Sequence, residues 1–248
     1  MDYRYSHQAK EKGQDYDESF AVLPYRRFIW EWEKETIKNA VLKSTEIKNP
    51  AILDFACGTG RILTELENYT KDLTGIDISD SMLEQASKKT THARLLKGDI
   101  TKNEGEFQPE QFDVITAFRF FLNAQSRLRK EVLEKFHLYL KSDGVVIFNV
   151  HANATHFGVI AAILILRLKN KFRKAQPIQN SLSVFKVKRL LKEHHFQIIE
   201  VHHRNILPVI NEKTTFPIAK FARLENFCSK VGFLRYLSRN IIFVCKKK

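Results

Sequence analysis

The sequence predicts an α/β fold in which a mainly parallel sheet carries helices on both faces. From residue 51 to residue 150, short apolar segments alternate with amphipathic helical segments at the spacing of βαβ units. The predicted strands, such as AILDF at 51–55, are almost entirely apolar, which is typical of strands covered on both faces. The chain has 248 residues, of which 44% are hydrophobic, and this is enough for a large core.

The first half of the chain supplies most of the predicted elements. A helix is expected at 24–43, where Phe28, Trp32, Ile37 and Val41 recur at helical spacing. Apolar runs predict the first five strands at 51–55, 72–77, 93–99, 112–118 and 143–150. Amphipathic patterns predict the intervening helices at 60–69, 79–89 and 126–140.

Beyond residue 150 the alternation becomes looser. Helices are predicted at 156–174 and 183–195, and strands at 196–204 and 240–245. The segment between these two strands suggests an insertion at the sheet edge. We therefore expect three parts, namely an N-terminal helical cap at 1–45, a core domain at 46–204 and 239–248, and an inserted substrate lobe at 205–238.

Charge and cysteine content limit the environment and the partners. The net charge of +13 comes from the C-terminal third, because residues 161–248 carry +15 and residues 1–160 carry −2. Such asymmetry indicates either an anionic partner or a lysine-rich solvated surface. The three cysteines have no metal-binding or disulfide spacing, and no apolar run is long enough to span a bilayer. A cytoplasmic protein is expected, with contact at the inner face of the membrane as an option.

The loop after the first predicted strand, CGTG, is a candidate ligand loop. Gly58 and Gly60 can adopt positive φ and leave no Cβ between backbone and ligand. The dinucleotide pattern needs a third glycine where this chain has Leu63, and no phosphate-binding lysine pattern follows. Asp54, at the end of the strand, would repel pyrophosphate and attract a cation. These residues favour a positively charged adenosine cofactor.

Two more carboxylates follow the next two predicted strands. Asp77 is placed to accept hydrogen bonds from both ribose hydroxyls, and Asp99 from an adenine amino group. Each alone is commonly a cap or turn residue. Three acids at successive strand ends beside a glycine pair favour an adenosine site, because strand ends meet at one edge of the sheet.

The motifs LDFACGTG, GIDISDSML, LLKGDI and FDVITAF resemble, in order and spacing, those of class I S-adenosylmethionine-dependent methyltransferases. The resemblance covers about residues 50–150. It implies a Rossmann-like seven-stranded sheet with an antiparallel last strand and S-adenosylmethionine as cofactor. The implied cofactor-binding residues are Asp54, Ala56, Gly58 and Gly60 for the methionine and ribose, Asp77 and Ile78 for the ribose, Met82, Asp99 and Ile100 for the adenine, and Phe118 at the methionine end.

The acceptor side offers catalytic candidates but no decisive motif. His151, after the fifth strand, is the best-placed general base, with His156 behind it. Arg119 could bind an anionic acceptor or pair with a carboxylate, and Asn123 has a similar range of roles. AFRFFLN stands where enzymes that methylate exocyclic base or amide nitrogens resemble one another in an N/D-P-P-Y/F run, so the sequence disfavours that class. No metal cluster is predicted.

The segment 156–174 bears on the partner. It is apolar from Phe157 to Leu168 apart from Arg167, and basic residues follow. It suits an amphipathic helix in a membrane interface, although a core helix or a dimer contact explains it as well. We expect methylation of a small-molecule, saccharide or lipid-linked glycan acceptor. The alternatives are an RNA methyltransferase or a non-catalytic cofactor-binding regulator, and the oligomeric state stays open.

Overall fold

A computed structural model describes residues 23–44, 47–172, 182–207, 210–211, 214 and 217–248. The sheet has seven strands: β1 (Ile52–Phe55), β2 (Leu73–Asp77), β3 (Arg94–Lys97), β4 (Phe112–Ala117), β5 (Leu140–Val150), β6 (Phe196–Arg204) and β7 (Asn240–Lys247). The helices are α1 (Pro24–Ser44), α2 (Arg61–Leu66), α3 (Asp80–Ser87), α4 (Ser126–Tyr139), α5 (Phe157–Phe172), α6 (Val184–Glu193) and α7 (Ala222–Lys230). Short 3₁₀ helices occupy Ile100–Lys102, Ile218–Phe221 and Leu234–Leu237.

The strand order is β3-β2-β1-β4-β5-β7-β6. β1 pairs in parallel with both β2 and β4, and β7 lies antiparallel between β5 and β6. The predicted fold class, including the antiparallel last strand, is confirmed. Because the chain leaves β1 toward β2 on one side and reaches β4 on the other, a crevice opens at the carboxyl ends of β1 and β4.

The side chains of the sheet pack into two apolar layers, one on each face. On one face, Ile52, Val114 and Ile147 pack with α2 and with the C-terminal half of α1. On the other face, the alternate strand residues pack with α4 and α6 through Phe136 and Val187, among others. Helices therefore cover both faces, and the two layers hold the strand ends in fixed positions around the crevice.

Helix α1 joins the sheet to the segment 205–238. Its first half contributes Tyr25 and Ile29 to a separate apolar cluster with Ile210 and Ile218. Within that segment, the buried Glu225 accepts hydrogen bonds from the backbone N–H groups of residues 206 and 207. The division into a cap, a core domain and a lobe remains a prediction, and residues 1–22 of the predicted cap lie outside the described residues.

Helix α5 is the element that departs most from an ordinary core helix. Phe157, Ile160, Leu164 and Ile165 are all exposed on it. The part of the predicted segment beyond Phe172, including Arg173 and Lys174, falls outside the described residues. Over the stretches with coordinates, no helix combines the length and apolar character needed to cross a membrane.

Candidate functional site

A cavity of about 330 Å³ lies at the carboxyl ends of β1, β2 and β4. Eleven of the fourteen residues singled out from the sequence line it: Asp54, Ala56, Gly58, Asp77, Ile78, Met82, Asp99, Phe118, Arg119, Asn123 and His151. The topology thus brings the predicted cofactor residues and the predicted acceptor residues to one space. Whether they bind cofactor and acceptor there remains a prediction.

The glycine loop is held against the second acid of the site. Gly58 has φ +55°, and its N–H donates a 2.9 Å hydrogen bond to Asp77 Oδ2. The Ser79 N–H donates to Asp77 Oδ1, also at 2.9 Å. A Cβ added at Gly58 would meet nothing within 4 Å, so the loop leaves open space where a ligand can approach the backbone.

Two of the predicted cofactor residues do not line the cavity. Gly60, with φ +79°, caps the start of α2, and a Cβ there would lie 3.0 Å from Ala86 Cβ. Its backbone conformation and its packing against α3 therefore explain the glycine without a ligand. Ile100 is buried in the apolar core, so its side chain is directed into the packing under the site.

Asp54 is a buried carboxyl group at the end of β1. Thr116 Oγ1 donates a 2.6 Å hydrogen bond to Oδ1, whereas Oδ2 is buried without a hydrogen-bond partner among the described residues. Burial raises the pKa of Asp54 from 3.8 to about 7, against the lowering effects of Thr116 and Arg61. A carboxyl group with an unsatisfied buried oxygen is suited to a cationic ligand, which would supply the missing interaction.

Asp99, which follows β3, lines the cavity. Its Oδ1 accepts hydrogen bonds from Thr101 N at 2.9 Å and from Thr101 Oγ1 at 2.7 Å. The residue thereby caps the 3₁₀ helix Ile100–Lys102 while it lines the cavity. Capping and ligand binding are compatible, because a carboxylate has several acceptor positions.

His151 lies at the acceptor end of the cavity, directly after β5. Its Nδ1 is buried and has no hydrogen-bond partner among the described residues. Burial lowers the pKa of His151 well below its ordinary value, and the positive charges of Arg119 and Arg239 lower it further. The imidazole is therefore neutral at physiological pH, and its buried Nδ1 is left unsatisfied within the protein. His156, by contrast, accepts a hydrogen bond from Gly158 N at the start of α5 and lies outside the cavity lining.

Arg119 follows β4 and has φ +64°, an unfavourable conformation for a residue with a side chain. Two side-chain amides hold it there. Asn149 Oδ1 accepts from Arg119 N at 2.7 Å, and Asn123 Nδ2 donates to the Arg119 carbonyl oxygen at 2.7 Å. These two hydrogen bonds hold the strained backbone of Arg119 in place, so its side chain lies at the cavity wall, beside His151.

Glu33 on α1 is the structural residue that the sequence reasoning missed. It is fully buried, and its carboxylate contacts Arg61 NH1 at 3.0 Å and Arg119 NH2 at 3.5 Å. Asn149 Nδ2 also donates to Glu33 Oε1 at 2.8 Å. One carboxylate thus links the glycine loop, the end of β4 and β5 to the N-terminal helix. The signal available in the sequence was an acid within the apolar stripe of α1, one turn from Ile29 and from Ile37.

Comparisons with known proteins agree with this geometry. Residues 52–144 match the family model described as a methyltransferase domain. YqeM of Bacillus subtilis, an inferred methyltransferase, is 30% identical over 144 residues, which cover 56% of this chain and 53% of YqeM. A malonyl-acyl-carrier-protein O-methyltransferase of Priestia megaterium is 27% identical over 209 residues, covering 75% of this chain and 73% of that protein. The chain spans about half the length of YqeM.

The fold has solved relatives over its whole length. Magnesium protoporphyrin IX methyltransferase of Synechocystis, solved with bound S-adenosylhomocysteine, has a TM-score of 0.67 at 10% identity, with 100% of both chains covered. The fold is thus shared with S-adenosylmethionine-dependent methyltransferases, and residues 52–144 match a methyltransferase domain. Methyltransferase domains of this fold use S-adenosylmethionine as their cofactor, and a second structure of the Synechocystis enzyme contains it.

Proposed function

We propose that this protein transfers a methyl group from S-adenosylmethionine to an oxygen atom of its acceptor, with His151 as the general base. The observation that carries the proposal is the buried, unpartnered Nδ1 of a neutral histidine in the same cavity as the strand-end acids. An imidazole that is neutral at physiological pH can take a proton from a hydroxyl group. An amine acceptor that is already deprotonated would not need this group.

The residues at the cofactor end fit a cationic adenosine derivative. Asp77, ordered by the N–H groups of Gly58 and Ser79, would hold the ribose, and Asp99 would hold the adenine edge. The unsatisfied oxygen of Asp54 would accept a hydrogen bond from the ammonium group of the cofactor. The cofactor supplies an electrophilic methyl group on a sulfonium, so the main task of the protein is in-line positioning of the acceptor.

His151 and Arg119 would handle the acceptor. His151 would take the hydroxyl proton on its imidazole as the acceptor oxygen is methylated, which would leave an imidazolium, and the cofactor would leave as its neutral thioether. Arg119 orients a polar or anionic group of the acceptor, supported by Asn149, Asn123 and Glu33. Phe118 and Phe120 give this end of the cavity an apolar wall.

The proposed acceptor is a small molecule, a saccharide or a lipid-linked glycan. Support for oxygen as the target comes from His151 and from the likeness to a protein named as an O-methyltransferase. Support for a membrane-linked acceptor comes from the segment 156–174, whose exposed apolar side chains on α5 suit a peripheral membrane contact. A cytoplasmic location at the inner face of the membrane follows from the same proposal.

The test is incubation of the protein with methyl-labelled S-adenosylmethionine and a fractionated cell extract. The proposal expects label in the lipid, glycan or small-molecule fraction, in an alkali-stable methyl ether rather than on nitrogen. Label in RNA would establish the alternative that the basic C-terminal third suggests. Cofactor binding without transfer to any fraction would instead favour the regulatory alternative. Asp77→Ala is the control that should remove both binding and label.

A further inference from the structure

Asn153, two residues beyond His151, joins three elements at the acceptor end of the molecule. Its Oδ1 accepts a hydrogen bond from Val184 N at the start of α6, at 3.3 Å. Its Nδ2 donates to the carbonyl oxygens of Tyr236 at 3.2 Å and Ser238 at 2.9 Å. Asn153 is fully buried, so the first turns of α5 and α6 and the 3₁₀ helix Leu234–Leu237 are fixed beside one another.

The surface around the buried Asn153 side chain is unusually apolar. Phe157 and Phe185 are each 58% exposed, and Phe233 is 72% exposed. Tyr236 stacks on Phe185 with ring centroids 5.4 Å apart and an interplanar angle of 10°. We call these residues, together with Ile160 of α5, the Asn153 face. Large apolar side chains so exposed in one neighbourhood mark an interaction surface.

The same neighbourhood is positively charged. Lys186, Lys188 and Arg235 are exposed on α6 and on the 3₁₀ helix, and Lys188 Nζ lies 5.6 Å from the centre of the Tyr236 ring. On α7, which leads into this 3₁₀ helix, Arg223 and Lys230 are exposed, whereas the acid Glu225 is fully buried. Aromatic and aliphatic groups surrounded by lysine and arginine match the interface of an anionic bilayer.

We propose that the Asn153 face docks on anionic lipid headgroups and inserts Phe157, Phe185 and Phe233 into the interface. Nucleic acid fits less well, because Phe185 and Tyr236 stack on each other and because Ile160 has no ring to stack on a base. Asn153 follows His151 by two residues, so one short segment connects the Asn153 face to the acceptor end of the cavity. The use of that position for a membrane-linked acceptor rests on the proposed function, whereas the docking itself does not.

Vesicle co-sedimentation without cofactor or acceptor tests the docking. The full chain should bind vesicles of phosphatidylcholine and phosphatidylglycerol but not vesicles of phosphatidylcholine alone, and added salt should weaken the binding. Phe233→Ser and Phe157→Ser should each lower the partition coefficient by about tenfold through lost apolar insertion. Lys188→Glu should lower it by about fivefold to tenfold.

Matched controls lie on elements that are not part of the Asn153 face. Leu42→Ser removes an exposed apolar side chain near the end of α1, and Lys71→Glu reverses an exposed charge before β2, so both should bind vesicles like the unaltered protein. The proposal would be overturned if the control variants lost as much vesicle binding as the test variants, or if the protein bound neutral vesicles equally well. Salt-sensitive binding to transfer RNA with no vesicle binding would also overturn it. Failure of methyl transfer alone would affect only the proposed function, because docking is measured without catalysis.

Discussion

Thr116 on β4 donates a 2.6 Å hydrogen bond to Asp54 on the neighbouring strand β1, inside the sheet rather than at its surface. The bond satisfies one oxygen of Asp54 and leaves the other buried without a hydrogen-bond partner among the described groups. The protein therefore maintains a carboxyl group that is costly to ionise at the point where the first strand meets the cavity.

Asp54→Asn is expected to stabilise the protein at neutral and alkaline pH. The folded-state pKa of about 7 lies above the ordinary value of 3.8, so the folded state binds the proton more tightly. The protonated Asp54 therefore stabilises the unaltered protein fully below about pH 4, and this contribution, on the order of 4 kcal/mol, is lost as the pH rises to about 7, whereas the Asp54→Asn variant keeps a neutral side chain throughout. Unfolding by urea at acid and at alkaline pH measures it. If the two proteins differed by the same free energy of unfolding at every pH in this range, the assignment would be contradicted.

Cofactor affinity should depend on the same carboxyl group. A cationic cofactor binds the ionised form of Asp54, so the affinity of the unaltered protein should rise as the pH increases through about 7 and then level off. Asp54→Asn should bind more weakly and lose this pH dependence. Calorimetric titration with S-adenosylmethionine at several pH values provides the measurement. A pH dependence that persists in Asp54→Asn would assign it to another group.

Glu33→Gln should be strongly destabilising, by about 3–5 kcal/mol, because two arginines would lose their buried partner. The matched control is Glu31→Gln, which removes an exposed acid of the same helix whose ion pair with Lys34 is also at the surface. The control should change the free energy of unfolding by less than about 1 kcal/mol. Equal effects of the two substitutions would show that Glu33 does not hold α1 to the site.

The two glycines of the loop should respond differently to alanine. Gly60→Ala meets Ala86 at 3.0 Å and forces φ +79° on a residue with a side chain, so it should cost about 2–3 kcal/mol of stability. Gly58→Ala meets no neighbour and should cost only about 1 kcal/mol, but its Cβ would occupy space in the cavity. Thermal unfolding with and without cofactor separates the two effects. If Gly58→Ala kept cofactor binding and Gly60→Ala lost it while the two variants were equally stable, Gly60 and not Gly58 would be the residue that contacts the cofactor.

The order and type of the sheet elements were predictable because local periodicity determines them. AILDF and FDVITAF are buried on both faces, and their apolar character appears directly in the sequence. The boundaries were less accurate: β5 begins at Leu140 rather than at 143, because Leu140 already pairs with Phe112 and the turn-like residues Ser142, Asp143 and Gly144 lie within an irregular part of the strand. β7 likewise runs to Lys247, since pairing with β6 and β5 carries its basic end beyond the apolar run.

The site residues that directly follow predicted strands could be predicted from the sequence. Those that depend on contacts between distant parts of the chain could not. Asp54, Asp77 and Asp99 could be placed from their positions after predicted strands. Glu33 could not, because its partners Arg61 and Arg119 are far away in the sequence and meet it only when α1 packs on the sheet. The predicted lobe 205–238 contributes none of its described residues to the cavity lining, and its role toward an acceptor stays a prediction.

The most direct test of the account is the single-turnover rate of His151→Gln with the acceptor fraction that takes up label from the unaltered protein. We expect cofactor affinity to stay within about twofold and the methyl-transfer rate to fall by about 10²–10⁴-fold, the range typical of a lost general base. His203→Gln, at a half-buried histidine outside the cavity, is the control and should keep the rate. Because the pKa of His151 is depressed, the unaltered rate at saturating cofactor should be flat between about pH 6 and 8. A rate in His151→Gln equal to that of the control would contradict the proposed role of His151.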